Sequence, residues 1–304
     1  MRLNRLDLNL LVALDALLTE RSITLAAERI CLSQPATSGA LARLREFFND
    51  DLLVRVGAKM QPTPLGESLA EPVHNILLQI QATVERGIEF DPFTCNRKFK
   101  FLAGDYSSTV LLTAVAKHIN TLAPEIQFEF FIPTNKPGEM LDRAEVDFMI
   151  MPTSVKVDHH PSVELFSEKF VSIACAQNDA VHSNMTMDEF LNLGHVTVKF
   201  GTSRVTSQDQ VLMKDQWRVE PNVEIITSTF NAIPQFLPGT GRIATVYQHL
   251  AEHWQKLIPI KIVPLPKPLP EIAWALQWHK YRDHDPALVW LREQIITTAR
   301  QTFG

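Results

Sequence analysis

Four spacings in this 304-residue sequence bring together residue types that do chemistry. His249, Glu252 and His253 stand as H-x-x-E-H, which on a helix puts two imidazoles and a carboxylate on one face, the pattern of an inverted zinc-hydrolase site. A third ligand must come from downstream, where the only glutamates are Glu271 and Glu293, past the interruptions at Pro264, Pro266, Pro268 and Pro270; zinc catalysis is therefore disfavoured. Gly239-Thr240-Gly241-Arg242-Ile243-Ala244 fits G-x-G-x-x-A, yet it follows a helical pattern and precedes a strand pattern, the reverse of a dinucleotide-binding turn. Asn184-Met185-Thr186 is a glycosylation sequon, without consequence in a chain that is not exported. The fourth group carries most weight. Ser33, Gln34, Pro35, Thr37 and Ser38 open a helix with short polar side chains, the composition that lets a helix end enter the major groove. There the Gln34 amide matches an adenine edge, Ser33, Thr37 and Ser38 reach phosphate or bases, Arg43, Arg55 and Lys59 hold the backbone, and Ser22 and Thr63 at neighbouring helix starts count with the DNA-binding set. The bland alternative is a helical corner whose polar residues face water.

The elements that position this face are legible. Leu6, Leu10, Ala13, Leu14 and Leu17 repeat at helical spacing; Ser22 caps a second helix with Ile23, Ala26, Ala27 and Ile30 inward; Ser33 caps the third. Leu52 to Arg55, a turn at Gly57-Ala58-Lys59, and Met60-Gln61 make a two-stranded wing. Thr63-Pro64 starts a long helix whose Leu65, Leu69, Val73, Ile76, Ile80 and Val84 form one stripe, with Pro72 expected to bend it. A second copy of the chain covers that stripe in a coiled-coil manner, or the chain's own domain does.

From Lys98 onward strand and helix patterns alternate, an α/β region with mainly parallel sheets and two subdomains joined near Ser167 to Phe170 and Leu265 to Glu271. In such sheets ligands lie beyond the carboxyl ends of strands. That places Asp105, Tyr106, Ser107, Pro152, Thr202, Ser203, Arg204, Phe230 and Asn231 at one cleft. Aromatic rings and hydroxyls suit a flat phenolic ligand, and Arg204 suits a phenolate or carboxylate. The bland alternative is that Phe230 and Trp278 are core and Arg204 is solvated.

Composition excludes other classes. Apolar residues at 45% and charged residues at 21% are globular values. Cys31, Cys95 and Cys175 form no C-x-x-C pair, so neither a disulfide framework nor a cysteine zinc site is encoded, and a cytoplasmic location fits. No export signal or membrane span is expected. Net charge is -5, and residues 1–60 carry eight Lys/Arg against seven Asp/Glu, so a DNA-binding surface must be a local patch.

Leu6 to Leu18, Ser22 to Ile30, Leu32-Ser33-Gln34-Pro35-Ala36, Leu41-x-x-Leu44-Arg45, Asp51-Leu52-Leu53-x-Arg55 and Pro62-Thr63-Pro64-x-Gly66 together resemble a LysR-type transcriptional regulator. Phe90-Asp91-Pro92-Phe93, Gly194-His195-Val196, Phe200-Gly201, Arg242-Ile243-Ala244-Thr245 and Trp290-Leu291-Arg292 are similar to the branch holding NodD-type nodulation regulators and the naphthalene and salicylate regulators. The resemblance implies a winged helix-turn-helix at 1–62, a dimerising linker helix at 63–90 and a periplasmic-binding-protein-like effector domain at 91–304. Its Rossmann-like subdomains cover about 97–167 with 271–304, and about 168–265. It implies no enzyme activity, no metal and no cofactor. The implied function is that of an activator answering a small phenolic or flavonoid-like inducer. Its partners are double-stranded promoter DNA, RNA polymerase and its own copies, as a dimer or a dimer of dimers. A constitutive DNA-binding regulator without a ligand is the alternative. Where many members carry a long polar or basic side chain this chain has Gly39, so that DNA contact is dropped. Glu168 stands where the salicylate regulators have a histidine, which argues against a carboxylate-bearing inducer.

Overall fold

The computed structural model describes residues 6–57, 59–84, 90–133, 136–200 and 205–304, divided into two compact units, 1–88 and 89–304. The first unit contains α1 (Asn9–Glu20), α2 (Ile23–Arg29), α3 (Gln34–Phe48), a hairpin of β1 (Leu53–Val56) and β2 (Lys59–Pro62), and α4 (Pro64–Val84). Each boundary has a local cause. Arg21 ends α1 in the left-handed region at φ 49°, and Asn49 ends α3 at φ 53°. Between them Ser22 and Ser33 accept the amides of Leu25 and Ala36, capping α2 and α3. Ala26 and Ala27 are buried on α2, small enough for it to pack closely on α1 and α3. Leu10, Leu14, Leu17, Leu41, Leu44, Leu52 and Leu53 form the core of this unit.

The apolar stripe of α4 divides. Leu65, Leu69 and Val73 pack into that same core, and Val73 is 4% exposed. Ile76, Ile80 and Val84 are 45%, 44% and 73% exposed. The expectation of one continuous intermolecular seam is thus corrected: α4 packs along α1, and its first two turns are needed to close the three-helix core. His74 and Asp15, 2.8 Å apart, add a polar tie between the two helices.

The second unit holds two five-stranded paths. The first runs β4 (Gln127–Phe131), β3 (Lys98–Ala103), β5 (Phe148–Pro152), β13 (Ile272–Gln277), β6 (Ser162–Glu168). The second runs β10 (Val223–Thr227), β8 (His195–Phe200), β11 (Ile243–Tyr247), β7 (Phe170–Cys175), β12 (Ile260–Val263), with β9 (Val205–Thr206) on the side of β8. In each, four strands run the same way and one, β13 or β7, runs against them, so strand directions are mainly parallel as expected while two of the four pairings along each path are antiparallel. The chain passes from the first sheet to the second between Glu168 and Phe170, and returns between Val263 and Ile272. Helices α5 (Asp105–Ser107), α6 (Thr113–Leu122), α7 (Pro137–Asp142), α8 (Met187–Asn192), α9 (Gln208–Leu212), α10 (Gln248–Gln255) and α11 (Pro286–Phe303) connect and cover the strands. A π-helical segment, Ser108–Leu112, joins α5 to α6, and Phe230–Phe236 is a 3₁₀ helix. Helix α8 opens on a capping box of Thr186 and Glu189 that overlaps the sequon.

Candidate nucleic-acid interface and effector site

On α3 the residues read as a DNA face are sorted by burial. Ser33, Gln34, Pro35 and Ser38 are exposed at its start, as are Arg43 further along and Arg55 and Lys59 on the wing. Thr37 is 0% exposed and its hydroxyl donates to the Ser33 carbonyl at 3.2 Å, which corrects its assignment as a DNA contact: it secures the first turn from inside. The Ser22 and Ser33 hydroxyl oxygens are engaged as caps. Thr63 is likewise structural. Its hydroxyl donates to Asp50 at 2.6 Å and accepts the Gly66 amide at 3.0 Å, starting α4. The Thr63 hydroxyl and the Leu52 amide hold Asp50 below the usual carboxylate range. Arg43 reaches Asp7 at 3.2 Å, and Arg55 donates to the Gly57 carbonyl at 3.2 Å, so both guanidinium groups are oriented by a partner while remaining exposed. Arg45 ties α3 to the wing through the carbonyls of Asp51 and Leu53 at 2.8 and 2.7 Å.

In the second unit, the expected cleft residues meet where the two sheets adjoin. Asp105, after β3, accepts the Asn231 amide at 2.8 Å. The Asn231 side chain donates to Thr109 at 2.8 Å and accepts from the Trp254 indole at 3.3 Å. Tyr106 donates to Glu168 at 2.7 Å, and His249 binds the same oxygen. The Tyr106 ring lies 4.5 Å from Tyr247, 4.7 Å from Trp274 and 6.2 Å from Phe230 between ring centres. Tyr106, Glu168, Phe230, Tyr247 and Trp274 are all buried, and the second oxygen of Glu168 has no partner among the described residues. Ser107 is buried with its hydroxyl on the Gly104 carbonyl, correcting its reading as a free hydrogen-bond donor, and Pro152 is buried at the end of β5. Thr202, Ser203 and Arg204 lie outside the described residues.

Electrostatics follow from this burial. Desolvation pushes Asp105 up against the lowering effect of its amide partners, and burial pushes Asp209 to about 6. Tyr106 and Tyr247 are raised by burial first, then by nearby carboxylate charge. The hydrogen bond that His249 makes to the Glu168 carboxylate raises His249. Carboxylates and aromatic rings therefore dominate here. Sequence reasoning missed Tyr247, Trp274 and Asp209, which sit in ordinary strand and helix patterns, and it met His249 only as part of H-x-x-E-H. In the fold His249 turns to Glu168, Glu252 accepts from Gln248 at 2.7 Å, and His253 packs edge-on to Trp254, so the motif builds no shared ligand set.

Among the described residues no helix is long and apolar enough to cross a membrane. Residues 8–67 match the family described as bacterial regulatory helix-turn-helix protein, lysR family, and residues 96–300 match the LysR substrate binding domain. The chain is 39% identical over 299 residues to nodulation protein D 1 of Bradyrhizobium elkanii, covering 98% of this chain and 95% of that one. It is 41% identical over 300 residues to nodulation protein D 2 of Rhizobium tropici, with 98% and 95% covered. A transcriptional regulator of Pseudomonas aeruginosa has a similar crystal structure, with TM-score 0.65, 26% identity and 97% of both chains covered. A winged helix-turn-helix with an exposed polar helix start, followed by a two-sheet α/β body and matched over nearly its whole length, belongs to the LysR family of DNA-binding transcriptional regulators, which are not enzymes.

Proposed function

We propose that this protein is a ligand-responsive activator that binds promoter DNA through residues 1–62 and dimerises through 63–90. On this reading it changes its engagement of RNA polymerase when a small aromatic compound binds within 91–304. The supporting observation is the pair of polar links between the sheets, Asp105 with Asn231 and Tyr106–Glu168–His249, set among aromatic rings. Such links are individually weak and directional, so a ligand offering hydroxyl donors and a flat ring can replace them in one arrangement and not in another. The carboxylates favour a neutral phenol or flavonoid-like compound over a carboxylate. Ile76, Ile80 and Val84 form the dimer seam, pairing further into a dimer of dimers, and the protein works in the cytoplasm where promoter DNA lies.

The test is calorimetric titration of flavonoids, salicylates and chlorinated phenols into the purified protein, paired with transcription in vitro. Saturable binding of a phenolic that also raises transcription, weakened by Tyr106→Phe, is the expected outcome. A regulator that activates fully with no compound present, and binds none of the panel, is constitutive instead.

A further inference from the structure

A second cluster lies away from this cleft, on the first sheet's side of the body. Asp142 ends α7, and His159 and His160 lie in the segment leading to β6. The Nε2 atoms of His159 and His160 approach the same Asp142 oxygen at 2.7 and 3.1 Å, and the two rings are 4.4 Å apart. The three candidate ligand atoms all fall within 4.8 Å of one another, one on a buried residue, one half-buried and one exposed.

The arrangement is held by its surroundings. Gln277, buried on β13, clamps the Val157 backbone from both sides: its oxygen accepts the amide at 2.8 Å and its nitrogen donates to the carbonyl at 2.9 Å. Helix α7 comes so close to this segment that a Cβ on Gly138 would sit 2.8 Å from Val157 Cγ2. The Lys280 amide donates to His160 Nδ1 at 3.3 Å, so that in the metal-free protein both Nε2 atoms donate to Asp142. Asp142 and the adjacent His159 and His160 are thus fixed on one point by two packed segments.

We propose that Asp142, His159 and His160 form a binding site for one divalent transition-metal ion of the Zn²⁺ type. Two imidazoles and one carboxylate make a borderline donor set that suits Zn²⁺, Co²⁺ or Ni²⁺ better than Mg²⁺ or Ca²⁺. Tetrahedral Zn²⁺ with bonds near 2.0 to 2.1 Å places neighbouring donors roughly 3.3 Å apart, close to the 3.1 Å of His160 and about 0.6 Å beyond the 2.7 Å of His159, whose exposed side chain can move outward by that amount. The ion takes the place of the two Nε2 protons. His159 binds as a neutral imidazole: its Nε2 proton moves through water to Nδ1, or leaves to water where Nδ1 already carries one. His160 carries its proton on Nδ1 instead and loses the Lys280 contact, the longest of the three hydrogen bonds, a loss that the metal–ligand bonds must exceed. Water completes the coordination on the side of the exposed His159. A three-ligand site of this kind pins α7 to the approach to β6.

The experiment is titration of ZnCl₂ into the full-length protein after chelator treatment and dialysis, by calorimetry at neutral pH, with CoCl₂ as a visible-absorption probe. Expected are one ion per chain with micromolar or tighter affinity, and a Co²⁺ spectrum of tetrahedral intensity. His159→Ala and Asp142→Asn each weaken binding by about tenfold or more, while His182→Ala and His253→Ala, exposed histidines elsewhere, do not. His159 is exposed, so its variant keeps the fold; matching thermal unfolding without metal verifies this. Equal Zn²⁺ affinity in wild type and His159→Ala, or the absence of saturable binding, overturns the site.

Discussion

Tyr106 and His249 share one oxygen of Glu168: the phenol donates to it across 2.7 Å from the first sheet's side, and the imidazole binds it from α10 on the second sheet. Glu168 is 0% exposed and is the last residue before the chain changes sheets. A single carboxylate therefore fixes the relation of two bodies at the point where they are joined.

This link carries a pH dependence. His249 is raised above its ordinary 6.5 chiefly by its hydrogen bond to Glu168. A group raised in the folded state contributes stability that is complete below the unfolded value and is lost as pH rises through the folded one. The melting-temperature gap between wild type and His249→Asn is thus widest below about pH 6 and narrows through the neutral and mildly alkaline range. Calorimetric scans at several pH values measure it; a gap that is constant or grows with pH contradicts the assignment.

At the DNA face, the exposed Gln34 and the buried Thr37 should separate cleanly. Gln34→Ala costs roughly 1 to 3 kcal/mol of specific binding and leaves binding to random DNA nearly unchanged. Arg55→Ala weakens both and lowers the salt slope by about 1. Thr37→Val destabilises the fold by about 1 kcal/mol and leaves that slope alone. Anisotropy titrations on operator and scrambled duplexes across a salt series distinguish the three.

The divided stripe of α4 predicts two different phenotypes from neighbouring turns. Ile76→Glu shifts the protein toward monomers in sedimentation while the melting of the first unit is retained. Val73→Ala, one turn earlier and buried, costs about 2 kcal/mol of stability without changing the association state. Dimers that persist in Ile76→Glu at low micromolar concentration would place the seam elsewhere.

Gly66 tests how α4 is seated. A Cβ there would stand 2.3 Å from the Leu52 carbonyl oxygen and 3.3 Å from the Leu18 side chain. Leu52 is itself held at φ 58°, so the carbonyl has little freedom to retreat. Gly66→Ala should cost about 3 kcal/mol and lower DNA affinity by loosening the wing. Chemical denaturation of the variant measures the loss, and wild-type stability would refute the close approach.

The helix-turn-helix was legible because its causes are local: Ser22 and Ser33 act through the next three residues, and alanines mark the crossing. Thr37 was misread because a polar side chain four residues from a cap looks the same whether it points out or back at the Ser33 carbonyl. The seam was half misread because a heptad-like stripe does not declare which partner covers each turn. The sheets lost their antiparallel members for a different reason. Strand β13 is inserted between β5 and β6 from more than a hundred residues away, a pairing that no local pattern announces. The Asp142–His159–His160 cluster escaped for the same reason, since its metal-ligand pattern is not written at any fixed short spacing.

That insertion governs the order in which the molecule is made. While the chain emerges from the ribosome, residues 1–88 are a finished unit early, and β3, β4 and β5 can pair soon after. Strand β6 has no neighbour on the first sheet until Ile272–Gln277 arrives, after the whole second sheet has been synthesised. A nascent chain therefore exposes one edge of its first sheet from the completion of β5 at Pro152 until Ile272–Gln277 is made, and a message truncated before codon 272 yields a complete DNA-binding head on a body that cannot close.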